Sequence, residues 1–469
     1  MNGNPPVRPP QPLAALAPLG EPAWLVGGAV RDELLGRPSV DLDVVVDGSA
    51  PELARRLART AGAHAFVLSE AFGAWRVLAR DRAWRIDLTE LAGGTIEADL
   101  ARRDLAVNAI ARPLAGGGLI DPFGGQADLA ARRLRMVGPR SFVEDPLRVI
   151  RLARLRAELD FALDPATAAA ALASAPALAG VSPERVLAEL IQIVSGPRPV
   201  LGLLTMEHVG AMAAVLPEVL ALRGVQQSRF HHLDVHDHTL ATLEHVIEVT
   251  HEPVRWFGPA AGELAQVLAE PLANELTRGQ ALRFGAIFHD IAKPLTRGVL
   301  PDGRVSFIGH DQAGGELAGA ILTRLRASDR LAAHVAALTR HHLRLGFLVH
   351  ERPLDRRTVY RYLTATQPVS VDVTVVSVAD RLATLGDGSE RAVELHLELA
   401  RELLPAALRF RAAPPRPPVR GDELAAALEI APGPLLGPLL AELTEAAYAG
   451  EVQDAAQAFA LARELLAGR

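Results

Sequence analysis

The stretch that decides the fold is LVGGAVRDELLGRPSVDLDVVVDG, residues 25–48, in which a glycine pair, an Arg-Asp pair and an acidic strand opening follow one another. Side chains two residues apart in a strand point to the same side, so Asp41 and Asp43 share one face and Leu42 lies on the other. Two such carboxylates raise each other's pKa unless a cation lies between them. Oxygen ligands at this spacing suit Mg²⁺, so the stretch predicts a metal-binding strand end.

Other residues near this strand predict phosphoryl chemistry. Asp87, in the run RIDLTE, offers a third carboxylate at the end of a neighbouring strand. Convergent carboxylates are what two-metal phosphoryl transfer requires. Gly27 and Gly28 allow backbone N–H groups to close on a phosphate ahead of a helix, and Arg31 complements its charge. Taken singly, the glycine pair also fits a tight turn, and the aspartate pair a solvated strand end.

Composition excludes several classes of protein. The 469 residues carry a net charge of −6 and no cysteine, and no apolar run reaches the roughly 18 residues of a membrane span. Disulfides and thiolate metal sites are therefore excluded, and any metal must bind to His, Asp or Glu. Arginines crowd residues 102–156, which is compatible with local phosphate contacts, although solvated helix faces would look the same. We expect a cytoplasmic enzyme that does not span a membrane.

The sequence divides into an α/β head and a mostly all-α body. Short β-rich runs alternate with helices up to about residue 120, and from 125 onward helix follows helix. Proline- and glycine-rich stretches suggest the boundaries. The predicted segments are a disordered lead (1–20), the head with a small mixed sheet (21–136), a helical neck (137–225), a second domain (226–385) and a helical tail (386–469).

Five motifs follow one another in the order found in a known family. They are LVGGAVRDELLGRPSVDLDVVVDG, DLARRDLAVNAIA, LIDPFGGQADLAARRLR, EDPLRVIRLARLR and SPERVLAEL. Together they resemble class II tRNA nucleotidyltransferases, the CCA-adding enzymes and their bacterial poly(A) polymerase relatives, whose catalytic head is similar to DNA polymerase beta. The resemblance covers about residues 24–190. It implies template-independent addition of nucleotides from CTP and ATP to the 3′ end of tRNA, with release of pyrophosphate.

The resemblance also implies roles for residues of the head. Asp41 and Asp43 would hold catalytic Mg²⁺, with Asp87 beside them. The phosphates and ribose of the nucleotide would be bound by residues of the first two motifs, which are Gly27, Gly28, Arg31, Asp32, Arg102, Arg103, Asp104 and Asn108.

Base selection is implied for the EDPLR motif. Asp145 and Arg148 would offer hydrogen bonds to the base edge that imitate Watson–Crick pairing. Their i, i+3 spacing predicts a shared helix face, which Arg151 and Arg154 continue. Without the resemblance, this spacing would indicate a surface ion pair.

Two positions depart from the family's pattern. Ala106 stands where threonine is usual, which changes little. The larger departure follows RIDLTE, where members with full CCA activity usually carry a flexible segment and this chain has only LAGGTIEA, residues 91–98. Loss of that loop resembles CC-adding enzymes, which add two cytidines and leave the adenosine to a separate A-adding enzyme. CC addition and full CCA addition both stay open.

Histidines and aspartates after residue 230 form a second pattern. The order His, His-Asp, later Asp resembles the HD phosphohydrolase superfamily over about residues 230–385, where such groups converge in a helical bundle. The implied metal ligands are His238, His289, Asp290 and Asp380, with His310 and His342 as ligands of a second ion. His341 is an alternative to His342, and Lys293 would meet a substrate phosphate.

The HD pattern implies metal-assisted hydrolysis. A transition metal such as Mn²⁺ or Ni²⁺, or Mg²⁺, would activate water against a phosphomonoester or a 2′,3′-cyclic phosphate. The tail shows no chemistry of its own, and would dock tRNA, form a homodimer or serve only for packing.

Three functions compete for the whole chain. The first is a tRNA nucleotidyltransferase with an HD domain, and the second a bacterial poly(A) polymerase, which usually ends in a basic extension and lacks an HD domain. The third is an HD phosphohydrolase or RNA-binding protein with an inactive head. An inactive head would lose such carboxylates first, because they serve no packing role. Asp41 and Asp43 are both present, which argues against the third function. We therefore predict the first function.

Overall fold

A computed structural model describes residue 16 and residues 22–70, 73–227, 232–384, 389–431 and 433–467. The predicted disordered lead, 1–20, lies outside these residues except for Leu16. The chain forms two compact units, the first of residues 1–181 and 201–215 and the second of residues 182–200 and 216–469. Within the described ranges, no helix combines the length and apolar character needed to cross a membrane.

The first unit begins with the predicted α/β head. Its strands are β1 (Ala23–Val26), β2 (Asp41–Val46), β3 (His64–Ser69), β4 (Ala74–Leu78), β5 (Arg85–Glu90) and β6 (Ala111–Pro113), followed by the short β7 (Arg133–Leu134) and β8 (Ala162–Leu163). Its helices are α1 (Gly28–Leu34), α2 (Ala50–Ala61), α3 (Ile96–Leu100), α4 (Gly125–Ala130), α5 (Ser141–Glu144), α6 (Arg148–Leu159) and α7 (Pro165–Ser174).

The first six strands form one mixed sheet in the order β3-β4-β5-β2-β1-β6. Strands β2 and β5 are parallel, and the remaining neighbours are antiparallel. The parallel register places Asp43 directly opposite Asp87. Since β5 runs from Arg85 to Glu90, Asp87 lies inside its strand and not at the predicted strand end. The small mixed sheet expected for the head is confirmed.

Helix α2 shows how the sequence covers this sheet. Ser49 precedes it, Pro51 lies in its first turn, and Gly62 ends it in a left-handed conformation with φ of 64°. Its apolar residues recur at helical spacing and are buried, and the helix packs against β3 and β4. On the other side, Val26 and Val45 pack with Ile96 and Leu100 of α3.

The second unit is helical, as expected for the body. Helix α8 (Pro183–Ser195) belongs to it, α9 (Pro199–His208) has its first two residues in the second unit and the others in the first, and α10 (Ala211–Val215) belongs to the first. The remaining helices are α11 (Pro217–Leu220), α12 (Val235–His251), α13 (Pro253–Phe257), α14 (Ala261–Ala269), α15 (Arg278–Phe288), α16 (Lys293–Thr296), α17 (His310–Arg324), α18 (Asp329–His341), α19 (Arg344–Leu348), α20 (Arg356–Ala365), α21 (Ser370–Ala383), α22 (Ser389–Ala412), α23 (Gly421–Ala427), α24 (Leu436–Ala449) and α25 (Ala455–Ala467).

Two cores are visible in the second unit. Helix α12 packs against α15 and α21, and α15 also packs against α18. These four helices contain or directly precede five of the six predicted HD residues, and α17 begins at the sixth, His310. Near the C-terminus, Leu424, Leu439 and Leu443 are fully buried in a separate apolar cluster. Two short antiparallel hairpins, β9 (Pro271–Ala273) with β10 (Leu276–Thr277) and β11 (Gly298–Val299) with β12 (Val305–Ser306), complete the unit.

Candidate active sites

The glycine turn lies directly against the first catalytic candidate. Gly27 ends β1 with φ of 71°, and α1 begins at Gly28. A Cβ atom on Gly27 would lie 3.0 Å from Oδ2 of Asp43 and 3.0 Å from Nη1 of Arg103. The backbone conformation favours glycine at this position, and any side chain there would also displace the tips of Asp43 and Arg103.

The three carboxylates of the head lie on neighbouring strands. Leu42 is buried, whereas Asp41 and Asp43 are accessible on the opposite face, as predicted from the alternation. Asp87 accepts two hydrogen bonds of 2.7 Å from the guanidinium of Arg76. Asp41 pairs with Arg85, its neighbour across the parallel strands. Asp43 is the carboxylate that the glycine turn faces.

Asp43 has the electrostatics of a cation ligand. Desolvation is the main reason that its pKa is raised, although the residue as a whole is exposed. Arg103 opposes the rise, whereas Asp87 and then Asp41 add to it. A divalent cation among these oxygens would remove the unfavourable charge, so the residues present fit Mg²⁺.

A buried hydrogen-bond chain joins α1 to the second motif. Nη1 of Arg31 donates to Oδ1 of Asn108 at 2.8 Å, and Nδ2 of Asn108 donates to Oδ1 of Asp104 at 3.0 Å. Arg31 also donates to Asp32, and Arg151 approaches Oδ2 of Asp104 at 3.2 Å. The structure thus brings together five of the residues predicted to bind the nucleotide.

Asp104 stays ionised in spite of its burial. Desolvation by itself would raise its pKa, but Arg151, the Asn108 side chain and the Leu105 N–H group together lower the pKa to about 2. A charged carboxylate therefore holds Arg151 and Asn108 in fixed positions at neutral pH.

The predicted helix face of the EDPLR motif is wrong. Helix α5 ends at Glu144 and α6 begins only at Arg148, so Asp145 and Arg148 do not share a helix. Pro146 explains the break, because a residue that precedes proline avoids the helical region, and Asp145 is extended with φ of −145°.

The arginines around this motif have different surroundings. Arg148 donates to the backbone carbonyls of Ser141 and Arg102. Arg103 pairs with Asp99 of α3 at 3.2 Å. Arg154 pairs along its own helix with Glu158 at 2.7 Å, which is how a helix-surface arginine behaves.

The segment between β5 and α3 is short. Residues 91–95, which we call the 91–95 link, contain a single 3₁₀ turn at Ala92–Gly94, and Thr95 then caps α3 by accepting a hydrogen bond from Ala98. Gly93 and Gly94 have φ of 75° and 77°. The link leads directly into the helix whose Asp99 holds Arg103.

The second constellation is a cluster of six buried or partly buried groups, which we call the HD cluster. It comprises His238 of α12, His289 and Asp290 after α15, His310 at the start of α17, His342 after α18 and Asp380 of α21. Two overlapping sets place their ligand atoms within 4.8 Å of one another, His238-His289-Asp290 and Asp290-His310-His342.

Asp290 is the centre of the HD cluster. Its Oδ2 atom lies 3.2 Å from Nε2 of His289, and its Oδ1 atom lies 3.3 Å from Nε2 of His310. Nε2 of His238 lies 2.9 Å from Oδ1 of Asp380. One carboxylate therefore faces both sets, which fits two metal ions that share a ligand.

Three histidines of the cluster are oriented by their own backbone. Nδ1 of His289, His310 and His342 lies 2.7, 2.7 and 2.6 Å from the carbonyl oxygen three residues earlier. An Nδ1–H group that donates to a carbonyl leaves Nε2 as the lone pair for a metal. Nε2 of His310 and of His342 is buried without a hydrogen bond among the described residues, so the donor set fits a divalent metal.

Charge in the HD cluster is balanced internally. Burial opposes protonation of His289, but the carboxylates of Asp290 and Asp380 outweigh it, so the pKa of His289 is raised. The pKa of Asp290 is well below its usual range because His289 and Lys293 overcome its desolvation. Burial, and next the His289 ring, lowers the pKa of His342 to about 4, so this ring is neutral at neutral pH.

The structure distinguishes between the two adjacent histidines. His342 is 1 % exposed and belongs to the cluster, whereas His341 accepts a hydrogen bond from Arg344 outside it. Lys293 is 6 % exposed and donates to Asp290 and to Gln227, each at 2.6 Å. Sequence reasoning missed Gln227, because nothing local marks a residue that reaches the site across 66 positions.

Comparison with known families identifies the head and the HD domain. Residues 23–93 and 80–135 match the family described as Poly A polymerase head domain, and residues 261–385 match the HD domain. Residues 160–222 match the probable RNA and SrmB-binding site of polymerase A. An A-adding tRNA nucleotidyltransferase of Deinococcus radiodurans is 38 % identical over 95 % of this chain and 94 % of the relative. The chain belongs to the tRNA nucleotidyltransferase family.

The chain is also similar to proteins named CC-adding and CCA-adding enzymes. A CC-adding enzyme of Thermus thermophilus is 35 % identical over 94 % of this chain and 93 % of its own. Among solved structures, the Thermotoga maritima CCA-adding enzyme complexed with tRNA covers 97 % of this chain and 94 % of its own, with a TM-score of 0.58 and 20 % identity. A CCA-adding enzyme with CTP has a TM-score of 0.62 at 21 % identity, over 98 % and 94 % of the two chains. These likenesses confirm the predicted fold of a nucleotidyltransferase head followed by a helical body with an HD domain.

Proposed function

We propose that this tRNA nucleotidyltransferase adds two cytidines to the 3′ end of tRNA and leaves the terminal adenosine to a separate enzyme. The observation that carries the proposal is the 91–95 link, which is a single 3₁₀ turn followed at once by the Thr95 cap of α3, where full CCA-adding members usually have a flexible segment. Because the turn between β5 and α3 is short and fixed at both ends, it cannot move far enough to rearrange the nucleotide pocket after the second cytidine has been added.

The head supplies the groups for in-line transfer. The 3′-oxygen of the tRNA attacks the α-phosphorus of CTP, the bond to the bridging oxygen breaks, and pyrophosphate leaves. Asp41 and Asp43 would hold Mg²⁺, which supplies charge neutralisation and a more acidic hydroxyl. Gly27 and Gly28 bring backbone N–H groups to the phosphates, and Arg31 neutralises charge from a position that Asn108 fixes.

The test is an incubation of the purified protein with tRNA that lacks its CCA end, together with CTP and ATP. We expect products that carry two added cytidines and no adenosine. A terminal adenosine incorporated at a rate comparable to cytidine would contradict CC addition.

The same assay needs a second substrate because the Deinococcus radiodurans relative is named A-adding. With tRNA that already ends in CC, the proposal expects no incorporation of adenosine. Adenosine added to this substrate, with no cytidine added to the first, would assign the chain to the A-adding class instead.

We also infer that the HD cluster hydrolyses phosphomonoesters or 2′,3′-cyclic phosphates. The shared carboxylate of Asp290 and the oriented Nε2 atoms of His310 and His342 support this reaction. A divalent metal would supply activated water there. The six groups would hold it, and Lys293 would balance the charge of Asp290.

Paired variants test whether the two activities are separate. His289→Ala with Asp290→Ala should abolish hydrolysis of a 2′,3′-cyclic phosphate and spare nucleotide addition, because the head keeps its own ligands. The matched change in the head, Asp43→Asn, should abolish addition and spare hydrolysis. If the HD variant lost both activities while remaining folded, the HD domain would be a structural support.

A further inference from the structure

A cavity of about 640 Å³ opens beside the HD cluster. Four groups of the cluster, Asp290, His310, His342 and Asp380, are part of its wall. Cavities in the range of roughly 300–1,000 Å³ hold whole small-molecule ligands, whereas a phosphate ion would fill a minor part of this volume. The HD site therefore has room for a substrate much larger than the group it would hydrolyse.

One face of α21 forms a continuous wall of this cavity. Ser377, Asp380, Arg381 and Thr384, the last just after the helix, all line it. Their spacing of three, four and seven residues is that of a single helix face. Arg381 consequently reaches the same cavity as its neighbour Asp380, a member of the HD cluster.

The Nε atom of Arg381 is buried without a hydrogen-bond acceptor in the described part of the chain. The charge of the adjacent Asp380 acts on the guanidinium, but no hydrogen bond joins the two side chains there. Two other buried arginines of this unit are paired, since Arg278 binds both oxygens of Asp372 and Arg283 binds the carbonyls at the end of α8. The Nε atom of Arg340 is likewise buried without an acceptor among the described residues, but Arg340 does not line this cavity. A half-buried donor group without an acceptor is a group that a bound ligand can satisfy. A guanidinium matches two oxygens of a phosphate at once.

The cavity also has an apolar side. Phe347 and Ile308 line it with exposed fractions of 61 % and 80 %, unusually high for such side chains. An accessible aromatic face is a stacking surface for any nucleobase, independent of its identity. A phosphate anchor and an aromatic surface in one cavity match the two ends of a nucleotide.

We propose that Arg381 binds the phosphate of a nucleotide in this cavity, while Phe347 stacks on the base. The substrate of the HD site is then the nucleotide at an RNA end, bound through both its phosphate and its base. This inference rests on the hydrolytic function proposed above for its reaction, but binding can be measured without turnover.

Calorimetry on the full chain loaded with Mn²⁺ tests the proposal with two probes, inorganic phosphate and a non-hydrolysable phosphonate analogue of adenosine monophosphate. Arg381→Gln should weaken binding of both by about tenfold or more, the loss expected for a charge-assisted pair. Arg381→Lys, which keeps the charge, should lose less. Arg391→Gln is the matched control, because Arg391 is exposed on α22 and pairs only with Glu394 among the described residues.

Two further measurements separate binding from structure. Mn²⁺ affinity should be the same in Arg381→Gln as in the natural chain, because Arg381 is not a ligand. Phe347→Ala should weaken binding of the phosphonate analogue and leave phosphate binding unchanged. Equal losses for both probes in this variant would overturn the stacking role.

The outcomes also distinguish this inference from the hydrolytic function. If Arg381→Gln binds phosphate as tightly as Arg391→Gln, or if the natural chain binds no phosphate, the role of Arg381 is overturned. If phosphate binding depends on Arg381 but 2′,3′-cyclic AMP is not hydrolysed, the hydrolytic function fails and the binding site stands.

Discussion

Asp104 shows how one buried carboxylate organises the nucleotide side of the head. Asp104 accepts a hydrogen bond from Asn108, which in turn accepts one from Arg31. Arg151 of α6 forms an ion pair with Asp104. Its contribution to stability depends on its charge, because the folded state lowers its pKa from 3.8 to about 2. A depressed pKa stabilises the fold above the unfolded value and loses that effect as pH falls from about 4 to about 2.

Asp104→Asn should therefore destabilise the head at pH 7 by about 2 kcal/mol, the difference that the lowered pKa implies. The difference from the natural chain should shrink as pH falls through 4. Urea unfolding followed by tryptophan fluorescence measures it, since three of the four tryptophans, at 24, 75 and 84, lie in the head. A loss of stability independent of pH would mean that packing, and not charge, is responsible.

For individual residues, the sequence predicts those features that depend only on local backbone geometry. The shared face of Asp41 and Asp43 follows from strand alternation, and the structure has it. The pairing of Asp43 with Asp87 depends on the β2–β5 register, which distant residues set. The choice of His342 over His341 depends on where a helix end points, which adjacent identical residues cannot reveal.

The 91–95 link, on which the proposed CC specificity rests, contains two glycines with left-handed backbone conformations. Gly93 is left-handed, and a Cβ there would lie 2.8 Å from the Cβ of Ala98 in α3. Gly94 is also left-handed, but a Cβ there would meet nothing within 4 Å. The two glycines thus separate the cost of the backbone conformation from the cost of close packing.

Gly94→Ala should destabilise the head by about 1 kcal/mol through its backbone alone. Gly93→Ala should cost about 1–3 kcal/mol more, because it also displaces α3. We further expect only Gly93→Ala to raise the KM for CTP, since α3 carries the Asp99 that holds Arg103. Equal effects of the two changes on stability and KM would rule out this coupling.

Elements also show where sequence reasoning failed. The i, i+3 spacing of Asp145 and Arg148 predicts one helix face, yet Pro146 divides the segment between α5 and α6. The proline was in the sequence, so this signal could have been used. By contrast, the cavity beside the HD cluster is lined by segments far apart in the sequence, from Gln227 to His396, so local patterns could not reveal it.

The whole molecule carries two candidate metal sites whose ligands differ in chemistry. The head offers only carboxylate oxygens, whereas the HD cluster mixes four imidazoles with two carboxylates. Oxygen ligands suit Mg²⁺, and imidazole favours transition metals. The domain boundaries at 136, 225 and 385 stay predictions, although the two compact units divide the predicted neck between them.

Chelated protein should recover nucleotide addition when Mg²⁺ alone is restored. Hydrolysis of 2′,3′-cyclic AMP should return only with Mn²⁺ or Ni²⁺. Both activities are measured in the same preparation, and the His289→Ala, Asp290→Ala variant controls for contaminating phosphatases. Full hydrolysis with Mg²⁺ would contradict the assignment of a transition metal.

Lys293 gives the molecule an unusual chemical property. It is the only lysine among 49 basic residues, and its ammonium is buried between Asp290 and Gln227. Reagents that acylate primary amines need access to the nitrogen, so this side chain resists them while its contacts with Asp290 and Gln227 hold. Acylation of Lys293, distinguished by peptide mapping from that of the N-terminal amine, would therefore report local opening around the HD cluster.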